Sequence, residues 1–254
     1  PKYLRRLLDD GTETAGFDLT KAHLHAQLAR HGDNFPIIKH YVRSENDFYT
    51  ELVPNMSVLE AADVCKPLFR GLIYGGGQPH VDDWMKAVGA SSIGPLTTEF
   101  WKAQATIRRL DLHKIPSDVF RKLQAIADND EYKTINAVQN WLNETWERAR
   151  VDLAVKRLSE AGFQLTSLRH DGFRIRKVGA VMSEWLDEAS TIVAACGPFH
   201  YEPDLAEDEL KKYIMDRMTA KYPTLDWQEV DPNWKRRLEL AREIQRSMLP
   251  RVFP

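Results

Sequence analysis

The sequence predicts an α+β fold, a small antiparallel sheet with helices around it, and three observations lead there. Several stretches set small or apolar residues three and four apart, the spacing of a helix face. Residues 163–178, FQLTSLRHDGFRIRKV, alternate apolar and polar around an Asp-Gly turn pair, the pattern of a hairpin. Strand signals elsewhere are few, so the sheet is small.

The elements follow in chain order. TETAGF (12–17) reads as a short strand that feeds a helix at Asp18. Residues 21–31 fit that helix, with Ala22, Leu24, Ala26, Leu28 and Ala29 as its small or apolar positions. Ser57 and Glu60 have the spacing of a capping box and open an apolar-periodic helix that runs to Tyr74. Gly75-Gly76-Gly77 stops it. Pro67 follows Lys66 directly, and proline removes a backbone donor and disfavours helical geometry at its predecessor. The helix is therefore expected to kink or begin there. A long helix is expected over about 134–161, ended by Gly162. The hairpin follows, with Asp171 at its tip. Another helix is expected over 179–195, ending near Gly197-Pro198. Charged helices in the last fifty residues, WQEVDPNWKRRLELAREIQ among them, read as an appendage.

With 254 residues, 43% hydrophobic and 28% charged, the chain can bury a core in one large domain or two modest ones. No run approaches the ~18 apolar residues of a membrane span. The opening PKYLRRLLDDGTETAG has no apolar core of a secretion signal. An intracellular location with no membrane partner is expected, the compartment left open. Cys65 and Cys196 make neither a disulfide framework nor a zinc site and read as reduced thiols. The net charge of −2 argues against a protein that coats nucleic acid through overall charge, but leaves room for a basic channel. Lys102, Arg108, Arg109, Lys114, Arg121 and Lys122 form one basic run, and the segment from Lys235 to Arg251 another. A solvated helix face explains each about as well as a phosphate track. His23 and His25 lie two apart and face different sides of a helix, which disfavours a zinc site. Asp82-Asp83 reads as a solvated loop, and Trp141 and Trp146 as core.

Three segments carry chemistry together: GFDLTKAHLHAQLARHG (16–32), KPLFRGLIYGGG (66–77) and LRHDGFRI (168–175). An Asp at a strand end and another at a hairpin tip can converge on one sheet edge. Two carboxylates there suit two Mg²⁺ ions ~3.5–4 Å apart, flanking the attacking and leaving oxygens of phosphoryl transfer. Lys66 can meet a triphosphate and Tyr74 a base. Taken singly, each feature is ordinary: a helix cap, a turn pair, a solvated lysine.

Taken in order, the three segments resemble the motifs of family A (DNA polymerase I-like) polymerases. The likeness covers roughly residues 12–202. In that family's second motif a Lys is followed eight residues later by Tyr-Gly, as Lys66 is by Tyr74-Gly75 within GLIYG. The first opens with Asp at the head of a helix, as Asp18 does, and Asp47-Phe48-Tyr49-Thr50-Glu51 is similar to the segment downstream of it. The third is His-Asp followed by an acidic or small residue, here His170-Asp171-Gly172, and a helix opening Ile135-Asn136-Ala137 precedes it.

The resemblance implies a polymerase palm with a small antiparallel sheet (1–56 and 134–203), largely helical fingers (57–133) and a helical C-terminal appendage (204–254). It implies template-directed nucleotidyl transfer, DNA synthesis first, on a template-primer with nucleoside triphosphates. Asp18, Asp171 and the Leu19 carbonyl would hold two Mg²⁺ ions, with Mn²⁺ as a substitute. Lys66 would contact the triphosphate and protonate the leaving pyrophosphate. Arg70 and Tyr74 would bind the nucleotide, and Asn136, Asn140 and His170 the template-primer. His23 stands where DNA-making members carry a Glu that excludes the ribose 2′-hydroxyl, so sugar choice stays open. Ala62 stands where an Arg commonly holds the triphosphate, and Arg70 is the expected replacement. Seventeen residues precede Asp18, so a thumb is expected from another segment or chain. A single-subunit RNA polymerase and a non-catalytic polymerase-like module are the rival readings.

Overall fold

A computed structural model of the chain describes residues 14–169 and 171–202. It is α+β, and its described residues form two compact units, one from 14–20 with 150–169 and 171–202 and the other from 21–149. The expected appendage, 204–254, lies outside the described residues.

The first unit holds the sheet. Its strands are β1 (Ala15–Leu19), β2 (Gln164–Leu168), β3 (Gly172–Arg176) and β4 (Phe199–Glu202), in the order β2-β3-β1-β4, with every pairing antiparallel. The hairpin read from the sequence is β2-β3, and a bulge between Leu165 and Ser167 shifts its register. Side-chain alternation divides the sheet into two faces. One is aromatic: Phe17 lies opposite Phe173 and Tyr201, with ring centroids 5.9 and 6.0 Å away. Its neighbour is the helix Met182–Ala194, which buries Trp185, Ala189 and Val193 and sets Trp185 edge-on to Phe163. The other face carries Gly16, Asp18, Gly172, Arg174, His200 and Glu202. β4 is missing from the sequence reading because four residues are too few to display alternation.

The second unit is helical. In chain order it contains α1 (Ala22–His31), α2 (Pro36–Arg43), α3 (Glu45–Leu52), α4 (Val58–Ile73), α5 (Gln78–Val88), α6 (Pro95–Asp111) and α7 (Ser117–Ile126). The long helix α8 (Glu131–Glu160) follows, and the Met182–Ala194 helix is α9. α4 starts at the expected capping box: the Ser57 side chain accepts from the Glu60 amide, and Glu60 Oε2 accepts from the Ser57 amide. Its inward residues Ala61, Cys65, Leu68, Phe69 and Leu72 recur three and four apart. They meet Tyr41, Phe48, Tyr49 and Phe100 in an aromatic core, with Tyr41 4.6 Å from Phe69 and 4.8 Å from Phe100. Each such ring contributes about 1.5–3 kcal/mol on burial.

Contrary to expectation, α4 does not begin at Lys66-Pro67. It passes through Pro67, which lies on the exposed face. There water can take the carbonyl that proline leaves without a donor, while the buried face and the capping box hold the helix together. Asp82 and Asp83 are solvated as expected, but on α5 rather than in a loop.

Glu51, from the acidic-aromatic segment, caps α6. Its carboxylate accepts from the Leu96 and Thr97 amides at 2.9 and 3.1 Å. Arg108, read as part of a basic run, turns inward and donates to the Leu72 carbonyl near the end of α4 at 2.9 Å. Asp111 is wholly buried and takes Arg30 through both oxygens and His31 Nε2 at 2.8 Å. Both cysteines are free and buried, and burial pushes the Cys65 thiol up to about 11.

Candidate functional site

The expected site residues fall into two sets, one within each unit. In the sheet unit, β1 and β3 pair so that Asp18 faces Gly172, and the Leu19 amide donates to the Asp171 carbonyl at 2.8 Å. The two aspartates are thus backbone neighbours across one strand pair, though far apart in sequence. Asp18 is 4% exposed, whereas Asp171 is exposed and sits in the bend before β3. Gly172 makes room for the Asp18 carboxylate. A Cβ there would lie 2.1 Å from Asp18 Oδ1 and 2.4 Å from the Phe17 carbonyl oxygen. Leu19 lies at the strand end between these aspartates, buried and opposite Phe199. The Thr20 hydroxyl and His200 Nδ1, 2.8 Å apart, link the end of β1 to β4. His170 lies outside the described residues.

Two arginines unnoticed in the sequence share this face. Arg174 is buried and donates from Nε and Nη2 to Thr14 Oγ1 at 3.2 and 2.6 Å. Arg169 is 8% exposed; its Nη1 lies 2.9 Å from Glu202 Oε2 and 3.5 Å from Asp18 Oδ1. For Arg174 the signal was present: alternation puts Gly172 and Arg174 on the face opposite Phe173 and Ile175. A polar hairpin face is ordinarily solvated, and this one is buried.

Two carboxylates are what Mg²⁺ commonly takes from a protein, with water and phosphate oxygens filling the rest of its shell. Asp18 and Asp171 fit that donor class, and the space over Gly172 fits the Asp18 carboxylate. Among the described residues, no three or more His, Cys, Asp or Glu gather as an all-protein cage. Arg169 already holds Asp18, so a divalent ion there competes with a resident guanidinium.

In the helical unit, Lys66, Arg70 and Tyr74 lie four apart along one exposed face of α4 and its cap. Tyr74 is 48% exposed. Its ring meets that of His23 on α1 edge-on, with centroids 4.9 Å apart. His23 Nε2 lies 3.2 Å from Glu147 Oε1 on α8. Gly75 has φ +96°, and a Cβ there would lie 2.2 Å from Asn136 Oδ1. Tyr74-Gly75 is therefore bordered by His23 on one side and Asn136 on the other. Asn140 is one turn further along α8, half-buried. Trp141 and Trp146, also on α8, are half-buried. His25 is pulled down by burial, then by Lys21.

Among the described residues no helix is long and apolar enough to cross a membrane. No protein-family model matches this sequence, and no curated protein matches it closely enough to count as a relative.

Proposed function

We propose that the chain carries out template-directed nucleotidyl transfer, extending a primer 3′-hydroxyl with a nucleoside triphosphate and releasing pyrophosphate. One observation carries the reading: Asp18 and Asp171, chosen from sequence alone, are neighbours across the β1–β3 pair, with glycine where a side chain would block Asp18. The His23–Tyr74–Gly75–Asn136 cluster adds support, because two residues expected at the nucleotide, His23 and Tyr74, meet beside Asn136, expected at the template-primer.

In this reading Asp18 and Asp171 hold the metal. Two Mg²⁺ ions there supply positive charge to the attacking and leaving oxygens. Lys66 Nζ meets the triphosphate and gives its proton to the departing pyrophosphate oxygen. Arg70 binds phosphate one helical turn away. The Tyr74 ring covers the nascent pair, and His23 borders the sugar. Asn136 and Asn140 contact the template-primer.

The test is primer extension on DNA and RNA templates with deoxy- and ribonucleotides, using wild type, Asp18→Asn and Asp171→Asn. Each variant is expected to fold and to lose nearly all extension. Variants that extend as the wild type does would sink the two-metal reading. The Asp18–Arg169 contact favours one second reading, a non-catalytic polymerase-like module, since an ion pair gives that carboxylate a structural use. That module would bind primer-template and incorporate nothing.

A further inference from the structure

We propose that Arg169 is a phosphate-binding residue, whose Nε–Nη2 edge receives two oxygens of a nucleotide phosphate while Glu202 anchors its Nη1. The inference deepens the function proposed above and rests on it for the identity of the anion.

Three observations carry it. The backbone at Arg169 is fixed, its amide donating to the Gly172 carbonyl at 2.8 Å across the hairpin tip. Its guanidinium is held from one side only: Nη1 donates to Glu202 Oε2 at 2.9 Å and approaches Asp18 Oδ1 at 3.5 Å. The opposite edge, Nε and Nη2, is buried without a hydrogen-bond partner. Unmet donors on a buried cation are costly, more so than on a neutral group. That edge is also the planar two-donor fork that matches a pair of phosphate oxygens.

Arg174 supplies the contrast. It lies on the same face, but its Nε and Nη2 both donate to Thr14 Oγ1, so its fork is already occupied. Glu202 has a positioning role here. It keeps Nη1 in place when Asp18 exchanges its guanidinium partner for another cation. Arg169 thus also offsets the acidity of a site that must admit an anion beside aspartates.

The phosphate has two sources, the triphosphate of the nucleotide or the backbone of the primer-template. The full chain is titrated with inorganic pyrophosphate by calorimetry and with a labelled primer-template by anisotropy, in Mg²⁺, as wild type, Arg169→Gln and Arg169→Lys. Arg169→Gln is expected to weaken at least one probe roughly 10- to 100-fold. Arg169→Lys should recover part of that, since it keeps the charge without the fork. Weakening of pyrophosphate alone assigns the triphosphate, and weakening of primer-template alone assigns the nucleic-acid backbone.

A purely structural arginine predicts a lower melting temperature with both affinities unchanged, and that result overturns the proposal. Failure of the wild type to bind either probe overturns it too. If Arg169→Gln does not fold, Arg169→Lys carries the comparison alone, and wild-type affinities in it count against the proposal. The two readings fail separately. Arg169-dependent pyrophosphate binding without any extension keeps this site and removes the polymerase. Extension by a wild type whose Arg169 variants bind both probes equally well does the reverse.

Discussion

At the scale of single residues, glycines and histidines decide the chemistry. Gly172 should tolerate no side chain. A Cβ would strike the Phe17 carbonyl as well as Asp18, and backbone cannot rotate away as a side-chain tip can. Gly172→Ala is expected to cost about 1–3 kcal/mol in denaturant titration and to abolish extension. A stable, active variant would mean that the Asp18 carboxylate does not use this space. His23 carries the second prediction. Glu at that position would face Glu147, now 3.2 Å from the imidazole, so His23→Glu belongs in a Glu147→Gln background. That double variant should favour deoxy- over ribonucleotides more than Glu147→Gln alone does. An unchanged ratio in single-nucleotide incorporation would remove His23 from the sugar gate. Asp18, Asp171, Tyr74 and His23 were legible because each belongs to an ordered motif. Arg169 and Glu202 were not, because their meaning depends on a strand pairing that joins residues 33 positions apart.

At the scale of elements, local signals read well and tertiary ones poorly. The capping box and the hairpin are present where their residues suggested. The long helix starts earlier than expected, at Glu131, because Asp130 accepts from the Lys133 amide at 2.8 Å and caps it. That signal, an Asp three residues before a helical amide, stood in the sequence. The Arg30–His31–Asp111 network did not, since nothing local couples α1 to α6. Pro67 is the instructive error. Local chemistry argued for a kink or a start there, yet α4 begins at Val58 and its buried face continues past Pro67. Pro67→Ala restores a donor inside a continuous helix and is expected to stabilise the fold by about 1–3 kcal/mol in urea titration. No gain, or a loss, would mean that proline's restriction of the unfolded chain outweighs the missing bond.

At the scale of the whole molecule, charge separates a catalyst from a coat. Lys and Arg number 35 against 37 Asp and Glu, so overall attraction cannot supply tight binding to a polyanion. Two of the six cations in the basic run on α6 and beyond are turned to internal work, while Lys102, Arg109, Arg121 and Lys122 are exposed. Arg108 holds the end of α4, and Lys114 donates to the Arg30 carbonyl. The cations proposed for phosphate are few: Lys66, Arg70 and Arg169. Each neutralised phosphate releases condensed counterions, and the logarithm of affinity falls with the logarithm of salt by about 0.9 per contact on B-form DNA. Lys66 and Arg70 are assigned to the nucleotide, so of these three only Arg169 can face the nucleic-acid backbone, and the slope on primer-template should be no steeper than about −1, shallow for a nucleic-acid-binding protein. Anisotropy of a labelled primer-template across a salt series measures it directly. Arg70→Ala should leave that slope unchanged and instead raise the apparent KM for the nucleotide in primer extension. Extension should be distributive, with primers lengthening in small steps when unlabelled competitor is in excess. A much steeper wild-type slope, with long products under competitor, would mean that a larger set of cations tracks the backbone. The Arg-rich segment from Lys235 to Arg251 would then be the first to neutralise, and the account of binding by so few cations would be wrong.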